Sequence, residues 1–98
     1  MRIFIHKALV EYYTRHPESK GVLEEWYFRT KASEWDTFAD MKNTFNSVDS
    51  VGNRRYVFNI KGNAYRIVAI VLFIPKYVYI RFIGNHAEYD KITDCSKI

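Results

Sequence analysis

Cysteine is almost missing from this 98-residue chain. Cys95 stands alone, so no intrachain disulfide and no cysteine-based zinc site can form, and a reducing compartment is expected. It reads as a free thiol near a frayed C-terminus. Long apolar runs are missing too. The longest, Ile67 to Pro75, is far too short to cross a bilayer. The opening MRIFIHKALVEYY has no apolar core of the signal-peptide kind. A soluble, cytoplasmic protein with no membrane partner is expected. None of the four glycines falls in a phosphate-binding loop, and no serine or cysteine sits in a nucleophile motif. His6, His16 and His86 have no metal-ligand spacing with one another or with the carboxylates, so neither a metal site nor a cofactor is expected. If the chain is an enzyme, Arg, Lys, His and Tyr must carry the reaction.

Aromatic residues and basic charge are plentiful. The chain is 17% aromatic and 48% hydrophobic, with fifteen Lys and Arg against eleven Asp and Glu, a net charge of +4. Its length implies one domain spanning residues 1–98, burying roughly 60–65% of its unfolded surface. The aromatics supply apolar area that so small a core needs, at about 150–250 Å² each. The basic excess suits a polyanionic ligand without requiring one.

The hydrophobic period changes along the chain. Arg2–Ile5 is a short strand candidate. Ala8, Leu9, Tyr12 and Tyr13, then Val22, Leu23, Trp26 and Tyr27, form two helical stripes, expected to pair as a hairpin around Pro17. Ser33-Glu34-Trp35-Asp36 resembles a capping box and predicts a third short helix through about Met41. The stretch NSVDSVGN reads as turn. From Tyr56 the period is two. Tyr56, Phe58, Ile60, Tyr65, Ile67, Ala69, Val71, Val78, Ile80 and Phe82 form one set, all apolar or aromatic.

Two-residue loops at Gly62-Asn63 and Ile74-Pro75 would put that whole set on one face, with 61 opposite 64, 59 opposite 66, 73 opposite 76 and 68 opposite 81. The other face would then present Arg55, Asn59, Lys61, Arg66, Tyr79 and Arg81. Guanidinium forks bind phosphates, and tyrosine rings can stack on bases. Taken singly, such an Arg is most often a solvated charge, and Tyr77 and Tyr79 are ordinary strand formers. A shared face without a carboxylate tips the reading towards a ligand. Gly84 ends the last strand, and NHAEYDKI predicts a short helix or turn, capped by Asn85, with His86, Tyr89 and Asp90 within one turn of one another.

RRYVFNIKGNAYRIVA together with YVYIRFIGNHAEYDKI closely resembles the HigB family of type II toxin–antitoxin modules, within the wider RelE-like group of mRNA interferases. The resemblance runs from about Trp35 to Ile92. It implies an α/β (α+β) RelE-like fold: a small, mainly antiparallel sheet of about four strands, two to three N-terminal helices on one face, and a short C-terminal helix or turn. It implies a metal-independent endoribonuclease that cuts mRNA on translating ribosomes through attack by the 2′-hydroxyl. It also implies a helix-turn-helix HigA antitoxin as partner, with operator DNA bound only through that antitoxin. Carried onto this chain, Arg66 and Arg81 would clamp the scissile phosphate, His86 would move a proton, Tyr89 would stack or take a second proton role, and Asp90 would orient one of them. Arg55, Asn59, Lys61 and Tyr79 would hold flanking RNA, and Lys42, Arg54 and Lys91 would dock the ribosome. The competing readings are a non-catalytic RNA-binding module and a degenerate toxin that keeps only antitoxin binding.

Overall fold

The structure, a computed structural model, describes residues 1–62 and 64–98. Five strands form one sheet in the order β1-β5-β4-β3-β2: β1 (Arg2–Phe4), β2 (Val48–Gly52), β3 (Arg55–Ile60), β4 (Tyr65–Leu72) and β5 (Tyr77–Asn85). Only β1 runs parallel to its neighbour, and the other pairings are antiparallel. Helices α1 (His6–Arg15), α2 (Lys20–Ala32) and α3 (Phe38–Thr44) precede the meander, and α4 (His86–Asp90) follows it. The mixed α/β architecture fits the RelE-like expectation with one strand more than anticipated. Among the described residues no helix is long and apolar enough to cross a membrane.

The additional strand is β2, in the stretch that reads as turn. Its two valines, Val48 and Val51, stand three apart and only Val48 is buried, so no period-two alternation announces it. Its partner β3 arrives through Asn53 and Arg54, both at positive φ, the geometry of a tight primed hairpin turn. The third helix also starts later than expected. Thr37 and Asp40 form its capping box, while Ser33 ends α2 by donating to the Arg29 carbonyl at 2.7 Å. Trp35, between the two, is buried and donates to Thr44 Oγ1 at 2.9 Å.

Helices α1, α2 and α3 bury Leu9, Tyr12, Leu23, Trp26 and Met41 against one sheet face, where Phe58, Tyr65, Ile67, Ala69, Val71, Val78 and Ile80 meet them. Each large side chain so buried stabilises the fold by roughly 1.5–3 kcal/mol before entropy is counted. The expected β3–β4 register holds: Asn59 pairs with Arg66, and the Ala64 amide donates to the Lys61 carbonyl. Asn63, assigned to that loop, lies outside the described residues. The β4–β5 register holds from Leu72↔Tyr77 to Ala69↔Ile80 and then shifts. Val68 pairs with Phe82 rather than with Arg81, which is left as the extra residue of a β-bulge. Beyond it the faces exchange: Ile83 packs on the core, and Phe82 joins the opposite face.

That opposite face is not open along its length. Val57 and Val68 pair at its centre and are 1% and 0% exposed. The C-terminal segment covers them. It runs from Tyr89, stacked on Arg66, to Ile98, whose main-chain oxygen accepts from Arg55 Nε at 3.0 Å and from a second Arg55 nitrogen at 2.8 Å. Cys95–Lys97 form a short 3-10 helix, so Cys95 lies in an ordered, packed segment rather than a frayed one.

Candidate active site

Arg66 sits at the regular end of β4, opposite Asn59 on one side and Gly84 on the other. Gly84 has no side chain to fill the space beside it. A Cβ there would meet Phe82 Cζ at 2.6 Å and Glu88 Cβ at 3.0 Å, so the first turn of α4 can close onto the sheet only over glycine. Asn85 then caps α4 by accepting from the Glu88 amide at 2.8 Å, and Glu88 reciprocates by accepting from the Asn85 amide at 2.9 Å.

The short helix delivers the expected residues together. The Arg66 guanidinium lies 4.4 Å from the centroid of the Tyr89 ring, a cation–π stack. His86 Nδ1 lies 2.8 Å from Asp90 Oδ2 across one turn. The carboxylate thus orients the imidazole, and Nε2 is the nitrogen left for other chemistry. Burial first, and the Cys95 thiol second, push the Tyr89 phenol above its ordinary pKa against the pull of Arg66, so it stays protonated at neutral pH. Arg66 Nε and Asn59 Oδ1 are buried without hydrogen-bond partners among the described residues. They are a complementary donor and acceptor on one cross-strand pair.

The other sequence-selected residues are dispersed. Arg81, exposed at the bulge, lines a groove against α1 with Ile5, Ala8, Glu11 and Arg15. The bulge takes it out of the regular β4–β5 pairing that holds Gly84 opposite Arg66. Arg55 is engaged by Ile98 and the Asn53 carbonyl. Asn59 donates to Ser47 Oγ at 2.9 Å and Asp49 Oδ2 at 3.2 Å. Lys61 is exposed in the β3–β4 turn, and Tyr79 stacks on Phe4 four residues away from the Arg66 level of the sheet.

Glu88 and Tyr12 were missed. The Tyr12 hydroxyl donates to Glu88 Oε1 at 3.1 Å, tying α1 to α4. The Asn85 amide bond is the largest cause of a lowered Glu88 pKa, and burial, then the Glu88 contact, pushes Tyr12 up to about 12. The only sequence signal for Glu88 was its place three residues after Asn85, and Tyr12 gave none beyond its helical stripe.

Comparison with known proteins identifies the family. Residues 19–92 match the family model of the HigB toxin, the RelE-like toxic component of a toxin–antitoxin system. The chain is 30% identical over 95 residues to the mRNA interferase HigB of Escherichia coli O6:H1, covering 95% of this chain and 92% of the relative. It is 32% identical over 100 residues to the mRNA interferase toxin HigB of Escherichia coli K12, covering 95% and 91%. The mRNA interferase HigB of Shigella flexneri matches to the same extent. A match across most of the chain, with Arg66 and the helix carrying His86 and Tyr89 inside the matched span, places this protein in the HigB toxin family.

Proposed function

We propose that this protein is a ribosome-dependent mRNA endonuclease that arrests translation and is neutralised by a HigA-type antitoxin. The observation that carries the proposal is the Arg66–Tyr89 stack beside the His86–Asp90 pair, on one short helix clamped to the sheet. In the proposed step the message's 2′-oxygen attacks the adjacent phosphorus. The O2′–P bond forms and the P–O5′ bond breaks, leaving a 2′,3′-cyclic phosphate and a 5′-hydroxyl. Arg66, charged at any working pH, neutralises the oxygens of the phosphorane. His86 takes the proton from the 2′-hydroxyl, Asp90 holds its ring, and the leaving 5′-oxygen takes a proton from the neutral Tyr89 phenol or, where Tyr89 stacks on a base, from water. Arg81 is not retained in this clamp.

The Arg66 site lies on a sheet surface beside a five-residue helix, and the proposed reaction needs the 2′-oxygen, phosphorus and leaving oxygen in line. The ribosome would supply that alignment to an otherwise flexible strand. Primer extension on one message in a purified translation reaction, with and without ribosomes, tests the proposal. Cuts are expected only with ribosomes. Cuts on naked RNA would remove the ribosome from the mechanism. Binding without cuts in either lane would favour a non-catalytic RNA-binding module.

A further inference from the structure

We propose that a second RNA subsite lies at the far end of the sheet, built by Arg2, Phe4, Lys31, Tyr77 and Tyr79, and that it holds single-stranded RNA away from the cut. The inference rests on the reading of this chain as an RNA-acting toxin. The parallel pairing of β1 with β5 sets Arg2 beside Tyr77 and Phe4 beside Tyr79. Phe4 and Tyr79 stack with centroids 4.7 Å apart. Tyr77 stands near-perpendicular to both, at 4.9 Å from Phe4 and 6.2 Å from Tyr79, and these contacts fix its ring. The Arg2 guanidinium lies 5.0 Å from the Phe4 ring centroid.

Arg2 and Tyr77 continue into a cavity of about 590 Å³ that Lys31 also lines. Arg2 and Lys31 are exposed, and among the described residues Glu34 is the single carboxylate on its wall. Two further cations there are already engaged: Lys76 is held by Asp36 Oδ1 at 2.6 Å, and the Met1 ammonium donates to the Ser33 carbonyl. Arg2 lies over the Phe4 ring and Lys31 5.9 Å from the Tyr27 ring centroid, and neither is in an ion pair among the described residues. Two such exposed cations beside a fixed, half-exposed aromatic group match the repeating phosphate and base of a single strand. An acidic peptide would use the cations alone. Tyr77 pairs with Leu72, six residues along β4 from Arg66, or about 20 Å at strand spacing. Arg2, Phe4, Tyr77 and Tyr79 lie on the face whose centre the C-terminal segment covers, and Lys31 stands round the β1 edge on the helix side. One RNA strand can therefore pass beside that segment and turn over the edge to touch both subsites.

The test uses the full-length protein and a short fluorescent 2′-O-methyl oligonucleotide, which lacks the attacking hydroxyl and cannot be cut. Anisotropy titrations across a salt series compare wild type, Arg2→Glu with Lys31→Glu, Tyr77→Ala and Tyr77→Phe. Loss of two phosphate contacts should lower the slope of log K against log salt by about 1.4. Tyr77→Ala should weaken binding about tenfold, and Tyr77→Phe, which keeps the ring, should not. On ribosomes the double charge reversal should raise KM and leave kcat unchanged. Unchanged affinity and salt slope in the folded charge-reversal protein overturn the subsite. So does loss of antitoxin binding with RNA binding intact, which would make this face a protein interface. If the variants lose RNA binding as expected but wild-type protein cuts no message, the subsite stands and the nuclease reading falls.

Discussion

The two hairpins of the meander share strand β4, and each brings an arginine to the sheet, yet they treat those arginines differently. In β3–β4 the pairing runs without a break from Arg55↔Ile70 to Ile60↔Tyr65, and Arg66 takes a regular position, half-buried, under the Tyr89 ring. In β4–β5 a bulge intervenes, and Arg81 turns out towards α1. The difference teaches that an arginine's partners follow from local register and not from spacing. The extra residue also turns Phe82 towards Tyr89, with ring centroids 6.3 Å apart, and sets Gly84 opposite Arg66. The bulge that takes Arg81 out of the regular pairing therefore builds the floor of the site.

Exchanging the two arginines for alanine tests this contrast most strongly. Arg66→Ala should lower kcat for ribosomal mRNA cleavage by about a hundredfold or more, the loss typical of a removed charge-stabilising group. Arg81→Ala should cost less than about tenfold, and its stability should stay within about 0.5 kcal/mol of wild type. Equal losses in cleavage would return Arg81 to the clamp. Next is the floor. Gly84→Val should destabilise the fold by about 2 kcal/mol in urea unfolding, through overpacking against Phe82 and Glu88.

A smaller effect is expected where α4 is tied to α1. Glu88→Ala removes the acceptor for both Asn85 N–H and Tyr12 O–H and should lower kcat about tenfold with KM little changed. Glu88→Gln keeps a carbonyl oxygen in place and should retain most activity. The acid branch has a definite sign. The Glu88 pKa is lower in the folded state than its ordinary 4.5, so its stabilisation is present above that value and is lost as pH falls through the folded pKa. Glu88→Gln should flatten that part of the stability–pH curve measured by urea titration.

The smallest effect is spectroscopic. Tyr12 titrates at about 12 in the folded protein against an ordinary value of 10. Its contribution is therefore complete below pH 10 and is lost as pH rises towards 12. Ultraviolet titration should show several tyrosines titrating late, Tyr12 among them near 12, and Tyr12→Phe should remove that component while the raised Tyr89 and Tyr13 remain.

Much of this was legible in the residues. The helical stripes gave α1 and α2, and the period-two set gave the core face with the single exception of Phe82. Asn85 announced the α4 cap. The bulge was not legible because Phe82 and Ile83 are both apolar, so either register buries a hydrophobic residue and the binary pattern cannot choose. Strand β2 was hidden because its two valines do not alternate and an edge strand can pair through its backbone with most of its side chains exposed.

The sequence by itself determined the helices α1 and α2, the strands β3 to β5, the β3–β4 register, the polar cap of α4 and membership in a toxin family, because these depend on side-chain period and on neighbours a few residues apart. The tertiary structure alone decided which arginine faces Tyr89, that Tyr12 holds Glu88 from seventy-six residues away, and that the C-terminal segment covers Val57 and Val68. Those outcomes depend on a one-residue shift and on long-range packing, where several arrangements satisfy the local rules equally and only the assembled core selects among them.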